Sequence, residues 1–181
     1  MTIIPTITTE RLVLRPFTLD DALEVQKLAG VREIADTTLN IPHPYSDGVA
    51  EKWINTHRDE YQKSGSVAWA VTLKDSSQLI GCISLGADSK NERAELGYWI
   101  AREHWGQGYC TEAAKKVLTY GFRQAKLNRI FAFYLSRNPA SGKVMQKIGM
   151  KKEGQMRQHI KKWDKFEDII YYGILAAEYK P

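Results

Sequence analysis

The sequence has few cysteines and no long apolar run. Its two cysteines, Cys82 and Cys110, stand apart, and neither belongs to a paired motif with metal-ligand spacing. No apolar stretch approaches the roughly 18 residues that a membrane-spanning helix requires. Residues 1–11 also lack the basic start and the apolar centre of a signal peptide. We therefore expect a soluble, cytoplasmic protein in a reducing environment, with no membrane partner.

Several motifs of catalysis and ligand binding are also missing. The four histidines, His43, His57, His104 and His159, form neither an H-E-x-x-H motif nor a His/Cys cluster, which disfavours a metal site. There is no G-x-S-x-G elbow for a covalent serine nucleophile, and no G-K-[ST] or G-x-G-x-x-G nucleotide motif. No aromatic and basic stripe matches an RNA- or DNA-binding module, so direct nucleic-acid binding is not expected.

What remains is the composition of an ordinary globular protein. The chain has 181 residues, of which 43% are hydrophobic and 26% charged, and one domain commonly has roughly 100 to 200 residues. We predict one domain over residues 1–181. The net charge of +5 suits an anionic ligand. Lys161, Lys162 and Lys165 concentrate positive charge, either as a solvated surface or as part of a site.

The hydrophobic periodicity predicts an α+β domain with a mixed sheet, in the order β-α-α-β-β-β-α-β-α-β-β. The predicted strands are 10–17, 66–74, 79–85, 93–100, 129–135, 153–162 and 166–175. The predicted helices are 19–29, a second helix capped by Ser46 or Asp47, 106–125 and 139–148. In the second helix one face carries Ala50, Trp53, Ile54, His57 and Tyr61.

The most informative segment is 92–114, in which a strand leads to glycines that open a helix. Gly106 and Gly108 allow backbone amides to approach a ligand closely. The first turn of the helix adds unpaired N–H groups and the positive end of its dipole, a combination that binds anions. A diphosphate would fit there, but a G-x-G before a helix is a weak signal by itself.

This segment resembles the acetyl-coenzyme A signature of the GNAT acetyltransferase superfamily, which aligns with Trp105–Cys110 and has Gly108 at its centre. Trp105 stands where the family usually has Gln or Arg, and Cys110 replaces a final Gly or Ala. Trp105 followed by G-Q-G-Y and T-E-A is similar to the ribosomal-protein N-terminal acetyltransferase branch.

Three further segments extend the resemblance over nearly the whole chain. Asn138–Met150 (NPASGKVMQKIGM) is similar to the family's N-x-x-S element with its following helix, and 10–17 and 41–46 match the same branch. The resemblance implies the GNAT fold, with a mostly antiparallel seven-stranded sheet, splayed in the middle and flanked by about four helices. It also suggests a homodimer.

The resemblance implies acetyl-CoA as a co-substrate and no metal. The coenzyme would lie where strand 94–100 splays from strand 130–135, with its diphosphate on the amides of 105–111. The implied coenzyme-binding residues are Tyr98, Trp99, Ile100, Trp105, Gly106, Gln107, Gly108, Tyr109, Cys110, Thr111, Asn138, Ser141 and Lys143. Arg102 and Lys143 could balance the remaining phosphate charge, and each is equally well interpreted as an ordinary surface cation.

Two catalytic residues are implied, Glu95 and Ser141. Ser141 would protonate the departing thiolate, whose pKa resembles that of cysteine, about 8.5; alternatively it only caps the helix after Pro139. Glu95 would accept the proton of the amine, directly or through water; alternatively it is an ion-pair partner. Asn138 would orient the coenzyme or the acceptor through its amide.

The acceptor is left open between classes of primary amine. The resemblance implies the N-terminal α-amine of a ribosomal protein. An α-amine has a pKa near 8 and needs less help from a base than a lysine with a pKa near 10.4. Polyamines, amino sugars, amino acids and antibiotics are the alternatives, as is a non-catalytic acetyl-CoA sensor. Segment 37–45, the candidate substrate wall, contains no carboxylate. A basic enzyme also suits cationic ribosomal proteins poorly.

Overall fold

One eight-stranded sheet forms the centre of the fold. The computed structural model describes residues 3–180, so both ends of the predicted 1–181 domain and the start of segment 1–11 lie outside the described residues. The strands are β1 (Ile7–Thr8), β2 (Leu12–Pro16), β3 (Val67–Leu73), β4 (Leu79–Asp88), β5 (Arg93–Ile100), β6 (Arg129–Leu135), β7 (Lys151–Lys162) and β8 (Lys165–Leu175). Their order in the sheet is β1-β2-β3-β4-β5-β6-β8-β7. β5 and β6 pair in parallel, and the other neighbouring strands pair antiparallel.

Helices cover both faces of this sheet. They are α1 (Ala22–Ala29), α2 (Arg32–Thr37), α3 (Val49–Ser64), α4 (Tyr109–Arg123) and α5 (Pro139–Lys147). On one face α4 and α5 bury apolar residues such as Val117 and Met145, and on the other α1 and α3 bury Val25 and Ile54. β3 contributes to both clusters, which explains why it is buried on both sides. No helix within residues 3–180 is long and apolar enough to cross a membrane.

The α+β prediction with a mixed, mostly antiparallel sheet is confirmed. The seven predicted strands are present, and 129–135 has the predicted bounds. The described chain has eight strands and five α-helices rather than seven and about four, because β1 and α2 were not predicted. β1 has two residues and α2 has six, and segments this short show too few periods to be recognised in the sequence.

Two predicted helix starts are corrected by the backbone. α3 is preceded not by a Ser46 or Asp47 cap but by Gly48, whose φ is 79°. The Asp47 carboxylate instead accepts a hydrogen bond from Gln26 Nε2 at 2.8 Å. The helix predicted from residue 106 begins at Tyr109, because Gly108 also has a positive φ and cannot continue a right-handed helix backwards.

Candidate functional site

A gap in the sheet lies between β5 and β6. Their parallel pairing joins Arg93–Glu95 to Arg129–Phe131 and is not seen beyond these residues in the described part of the chain. Residues 96–100 stay paired to β4, and 132–135 stay paired to β8. The facing edges of 96–100 and 132–135 therefore have backbone groups available to a ligand, since buried N–H and C=O groups require partners.

A cavity of about 730 Å³ follows this gap. Its glycine side, as we name it, is lined by Trp105, Gly106, Gly108, Tyr109, Cys110, Thr111, Asn138, Ser141 and Lys143. Its apolar side is lined by Val25, Ala29, Ile34, Leu39, Ile41, Tyr45, Val49, Trp53, Cys82, Trp99 and Phe133. The two sides belong to one continuous space, so ligands bound on each could meet at the gap.

The glycine side is shaped by two residues with left-handed backbone. Gly106 has a φ of 75° and Gly108 a φ of 83°. A Cβ added to Gly106 would meet no atom within 4 Å, so the backbone conformation rather than crowding requires glycine there. The turn presents the first N–H groups of α4, which have no partner within the helix. This arrangement fits an anion such as a diphosphate.

A hydrogen-bonded cluster holds this turn in place from the residues just before β2. Arg11 Nε donates to Glu112 Oε2 at 2.7 Å, and Arg11 Nη1 donates to the Gln107 carbonyl at 3.1 Å. Thr9 Oγ1 donates to the other oxygen of Glu112 at 2.6 Å, and the guanidinium lies 4.5 Å from the centre of the Tyr109 ring. Burial opposes ionisation of Glu112, but the hydrogen bonds from Thr9 and Arg11 outweigh it and lower the pKa of this carboxyl. This cluster was not predicted from the sequence.

Most of the predicted coenzyme-binding residues line the cavity. They are Tyr98, Trp99, Ile100, Trp105, Gly106, Gly108, Tyr109, Cys110, Thr111, Asn138, Ser141 and Lys143. Gln107 is the exception. Its side-chain amide donates to the Glu103 carbonyl at 3.1 Å, so this residue contributes only its backbone to the turn. Trp105 Nε1 donates to the Ile100 carbonyl at 2.6 Å, which stabilises the segment that leads from β5 to the turn. Burial raises the pKa of the Cys110 thiol to about 12, so it stays protonated at neutral pH.

Two other residues considered from the sequence lie away from the cavity lining. Arg102 donates to Glu33 at 2.7 Å, an exposed pair that joins the start of α2 to the segment after β5. His43 Nδ1 lies 3.0 Å from the Gly30 carbonyl. Within residues 3–180, no three or more His, Cys, Asp or Glu side chains are grouped closely enough to hold a metal.

Glu95 reaches the cavity from β5, where it forms the last residue pair of the parallel ladder. It faces Gly86 of β4 on one side and Phe131 of β6 on the other. Although the residue is accessible to solvent, the surrounding protein desolvates its carboxyl and raises its pKa. Neither a hydrogen bond nor an ion pair to this carboxylate is found in the described chain. The ion-pair role therefore lacks a partner, and the carboxylate is free to accept a proton.

Ser141 lies in the first turn of α5 and faces β5. Its Oγ is 2.9 Å from the Tyr98 hydroxyl oxygen, which also lies 3.1 Å from the Ser141 carbonyl oxygen. The hydroxyl of Ser141 thus bonds to a side chain on the neighbouring strand rather than to its own helix. Burial raises the pKa of Tyr98, so the phenol is a hydrogen-bond donor at neutral pH.

The apolar side is closed by α2 and by the segment after it. Residues 37–42 line the cavity, in the region where the sequence analysis places a substrate wall. Arg137, next to Asn138, anchors this wall by donating to the Asp36 carboxylate at 2.6 Å. Lys162 is buried and donates to the Leu39 carbonyl at 3.2 Å, and its burial lowers its pKa. Of the three clustered lysines, Lys162 therefore belongs to the wall.

Comparisons with known proteins agree with this architecture. The model of the acetyltransferase (GNAT) domain matches residues 11–151. The uncharacterised N-acetyltransferase YoaA of Bacillus subtilis (strain 168) is 34% identical over 157 residues, which cover 86% of this chain and 88% of YoaA. A GNAT-family acetyltransferase structure from Bacillus anthracis aligns with a TM-score of 0.86 and 27% identity over 96% of this chain and 100% of that one. RimL, a ribosomal L7/L12 alpha-N-protein acetyltransferase solved with coenzyme A, aligns with a TM-score of 0.84 and 21% identity, covering 96% and 98%.

Proposed function

This chain belongs to the GNAT family and is an acetyl-CoA-dependent N-acetyltransferase, and from that premise we propose that it acetylates a primary α-amine. The proposed acceptor is the N-terminal amine of a protein. The observation that carries the proposal is that Glu95 and Ser141 line the same cavity, which joins an anion-binding turn to an apolar chamber. RimL, which shares the fold, acts on an α-amine of a ribosomal protein according to its description.

The glycine side has the features that the coenzyme requires. Its diphosphate would be held by the amides of the turn that includes Gly106 and Gly108, with Lys143 available for the remaining negative charge. The pantetheine arm has amide groups that can pair with the free edge of residues 96–100. The coenzyme supplies an acetyl group activated as a thioester.

Glu95 is proposed as the proton acceptor. The amine nitrogen forms a C–N bond to the acetyl carbon, the C–S bond breaks, and the nitrogen must lose a proton. A carboxylate with a raised pKa is a stronger base than an ordinary one, which brings it closer to the range that general base catalysis requires. An α-amine with a pKa near 8 already has about one molecule in ten neutral at pH 7, so a weak base suffices.

Ser141 is proposed as the group that stabilises the departing sulfur. Its hydroxyl lines the glycine side, and its contact with Tyr98 fixes its orientation. A hydroxyl that donates a hydrogen bond to a developing thiolate stabilises the transition state more than the ground state, in which the sulfur is neutral. The sulfur regains a proton, which balances the one lost by the amine.

The apolar side bears on the acceptor class. Glu95 is the one carboxylate among the cavity-lining residues of the described chain. A polyamine or an amino sugar with several ammonium groups would leave further charges without partners, which is costly in a partly buried site. A single amine next to a neutral or apolar group fits better. The aromatic residues Trp53, Trp99 and Phe133 also suit a small apolar monoamine, which is the second candidate.

The test is release of free thiol from acetyl-CoA with a panel of acceptors: peptides of different first residue, apolar monoamines, spermidine and amino sugars. We expect turnover with peptides or apolar monoamines and little with spermidine. Glu95→Gln should lower kcat by about 100-fold or more, and Ser141→Ala by about tenfold or more. Glu92→Gln and Ser136→Ala, which remove the same groups at exposed positions outside the cavity, should leave kcat unchanged.

Two results would contradict the proposal in different ways. Coenzyme binding without thiol release for any amine would indicate a sensor rather than an enzyme acting on this panel. Preferred turnover of spermidine would overturn the assigned acceptor class while leaving the acetyltransferase chemistry in place.

A further inference from the structure

The Tyr98 hydroxyl makes two contacts with the same residue. It lies 2.9 Å from Ser141 Oγ and 3.1 Å from the Ser141 carbonyl oxygen, and it can donate to either. Tyr98 belongs to the part of β5 that does not pair with β6, and Ser141 is 43 positions further along the chain, on α5. The pair therefore connects the free edge of the sheet gap to the helix that carries the proposed proton donor.

The two contacts compete for one phenolic proton. When the phenol donates to the Ser141 carbonyl, the contact to Oγ requires the serine proton to point at Tyr98. When the phenol donates to Oγ, the serine proton is released to point at a third atom in the cavity. Only the second arrangement lets Ser141 donate to a ligand.

We propose that Tyr98 is a positioning residue whose hydroxyl donates to Ser141 Oγ and so directs the serine proton towards the departing sulfur. The inference rests on the proposed function, because it requires Ser141 to act on that sulfur. It assigns a role to the hydroxyl of Tyr98, beyond the packing of its ring and the contact of its backbone with the coenzyme.

Several contacts support this assignment. In the described structure, Tyr98 is the side-chain partner of the Ser141 hydroxyl, and Asn138, at the N-terminal end of α5, makes no side-chain capping hydrogen bond. Gly142 allows α5 to approach the sheet closely, because a Cβ there would lie 2.6 Å from the ring of Tyr134. The close approach fixes the first turn of α5 and, with it, the position of Ser141 relative to Tyr98.

The burial of Tyr98 keeps its role within hydrogen bonding. Because its pKa is raised, a phenolate would be costly, and the phenol retains its proton throughout. A donated hydrogen bond polarises the serine hydroxyl and strengthens the bond that this hydroxyl donates in turn. No proton needs to leave Tyr98 for this effect.

A double-mutant cycle separates positioning from packing. Tyr98→Phe keeps the ring and removes only the hydroxyl, so the fold should be retained. We expect this variant to lower kcat about tenfold, the scale of one lost hydrogen bond, with the Kd for acetyl-CoA and the KM for the amine unchanged within about twofold. In a Ser141→Ala background, the same substitution should have no further effect on kcat.

Tyr61→Phe is the matched control, because the Tyr61 hydroxyl contacts Tyr120 outside the cavity. It should leave kcat unchanged in both backgrounds. An equal loss of kcat from Tyr98→Phe with and without Ser141, or no loss in either, would overturn the inference while leaving the acetyltransferase intact. A wild-type protein that releases no thiol with any amine would instead overturn the proposed function, on which the inference depends.

Discussion

The Arg11 guanidinium donates to the Glu112 carboxylate at 2.7 Å, although 101 positions separate the two residues. The pair connects the residue before β2 to the first turn of α4. Since Arg11 also donates to the Gln107 carbonyl, this residue fixes the turn that presents the proposed anion-binding amides. The geometry of the proposed coenzyme site therefore depends on a residue that is distant in the sequence.

Glu112→Gln should weaken both this connection and coenzyme binding. The amide loses the charge that pairs with Arg11, and the side chain of Arg11 is 44% exposed, so we expect only about 1 kcal/mol of lost stability. The same loosening should raise the Kd for acetyl-CoA about fivefold, measured by calorimetric titration.

The stabilisation by Glu112 should depend on pH. Because the pKa of Glu112 is lowered, its contribution to the stability of the fold is present above the unfolded pKa of about 4.3 and is lost as the pH falls through the folded value. The difference in Tm should thus shrink below about pH 4.

Glu24→Gln is the control for this prediction. Glu24 pairs with Lys27 at 3.4 Å on an exposed surface, and such pairs contribute little. Equal effects of both substitutions on the Kd would show that Glu112 acts through overall charge rather than through the turn.

Glu95→Gln should stabilise the fold at neutral pH while it lowers turnover. Desolvation raises the folded pKa of this carboxyl above its unfolded value, so ionising it penalises the native state. The penalty is absent below the unfolded pKa of about 4.3 and grows as the pH rises through the folded pKa. Thermal unfolding at pH 4 and pH 7.5 should therefore show a higher Tm for the variant only at pH 7.5. A lower Tm at both values would mean that the carboxylate has a stabilising partner.

The outline of the fold was accessible from the sequence because it depends on local pattern. The apolar run 129–135 and the glycines at 106 and 108 each report on their own neighbourhood. The run indicated a strand with the observed bounds, and the glycines indicated a helix that begins close behind them, at Tyr109. The resemblance added the coenzyme-binding residues, most of which line the cavity.

The contacts that fix the site were not accessible in this way. The pair formed by Tyr98 and Ser141 spans 43 positions, and the pair formed by Arg11 and Glu112 spans 101. Hydrogen bonds between such distant residues leave no periodic trace in a single sequence. The prediction that Ser46 or Asp47 caps α3 was wrong for a related reason. The Asp47 carboxylate accepts a hydrogen bond from Gln26 of α1, a contact that the local sequence does not show.

Gly106→Ala should separate the backbone cost of the turn from its function. Gly106 and Gly48 have φ angles of 75° and 79°, and in neither case would an added Cβ meet an atom within 4 Å. Alanine at either position should therefore destabilise the protein by a similar amount, about 1–2 kcal/mol from left-handed backbone strain. Of these two glycines, Gly106 lines the cavity and Gly48 does not. We expect Gly106→Ala to raise the Kd for acetyl-CoA about tenfold or more, and Gly48→Ala to leave it unchanged, as measured by calorimetric titration alongside urea unfolding. Equal Kd values for the two variants would show that the amides of this turn do not bind the coenzyme.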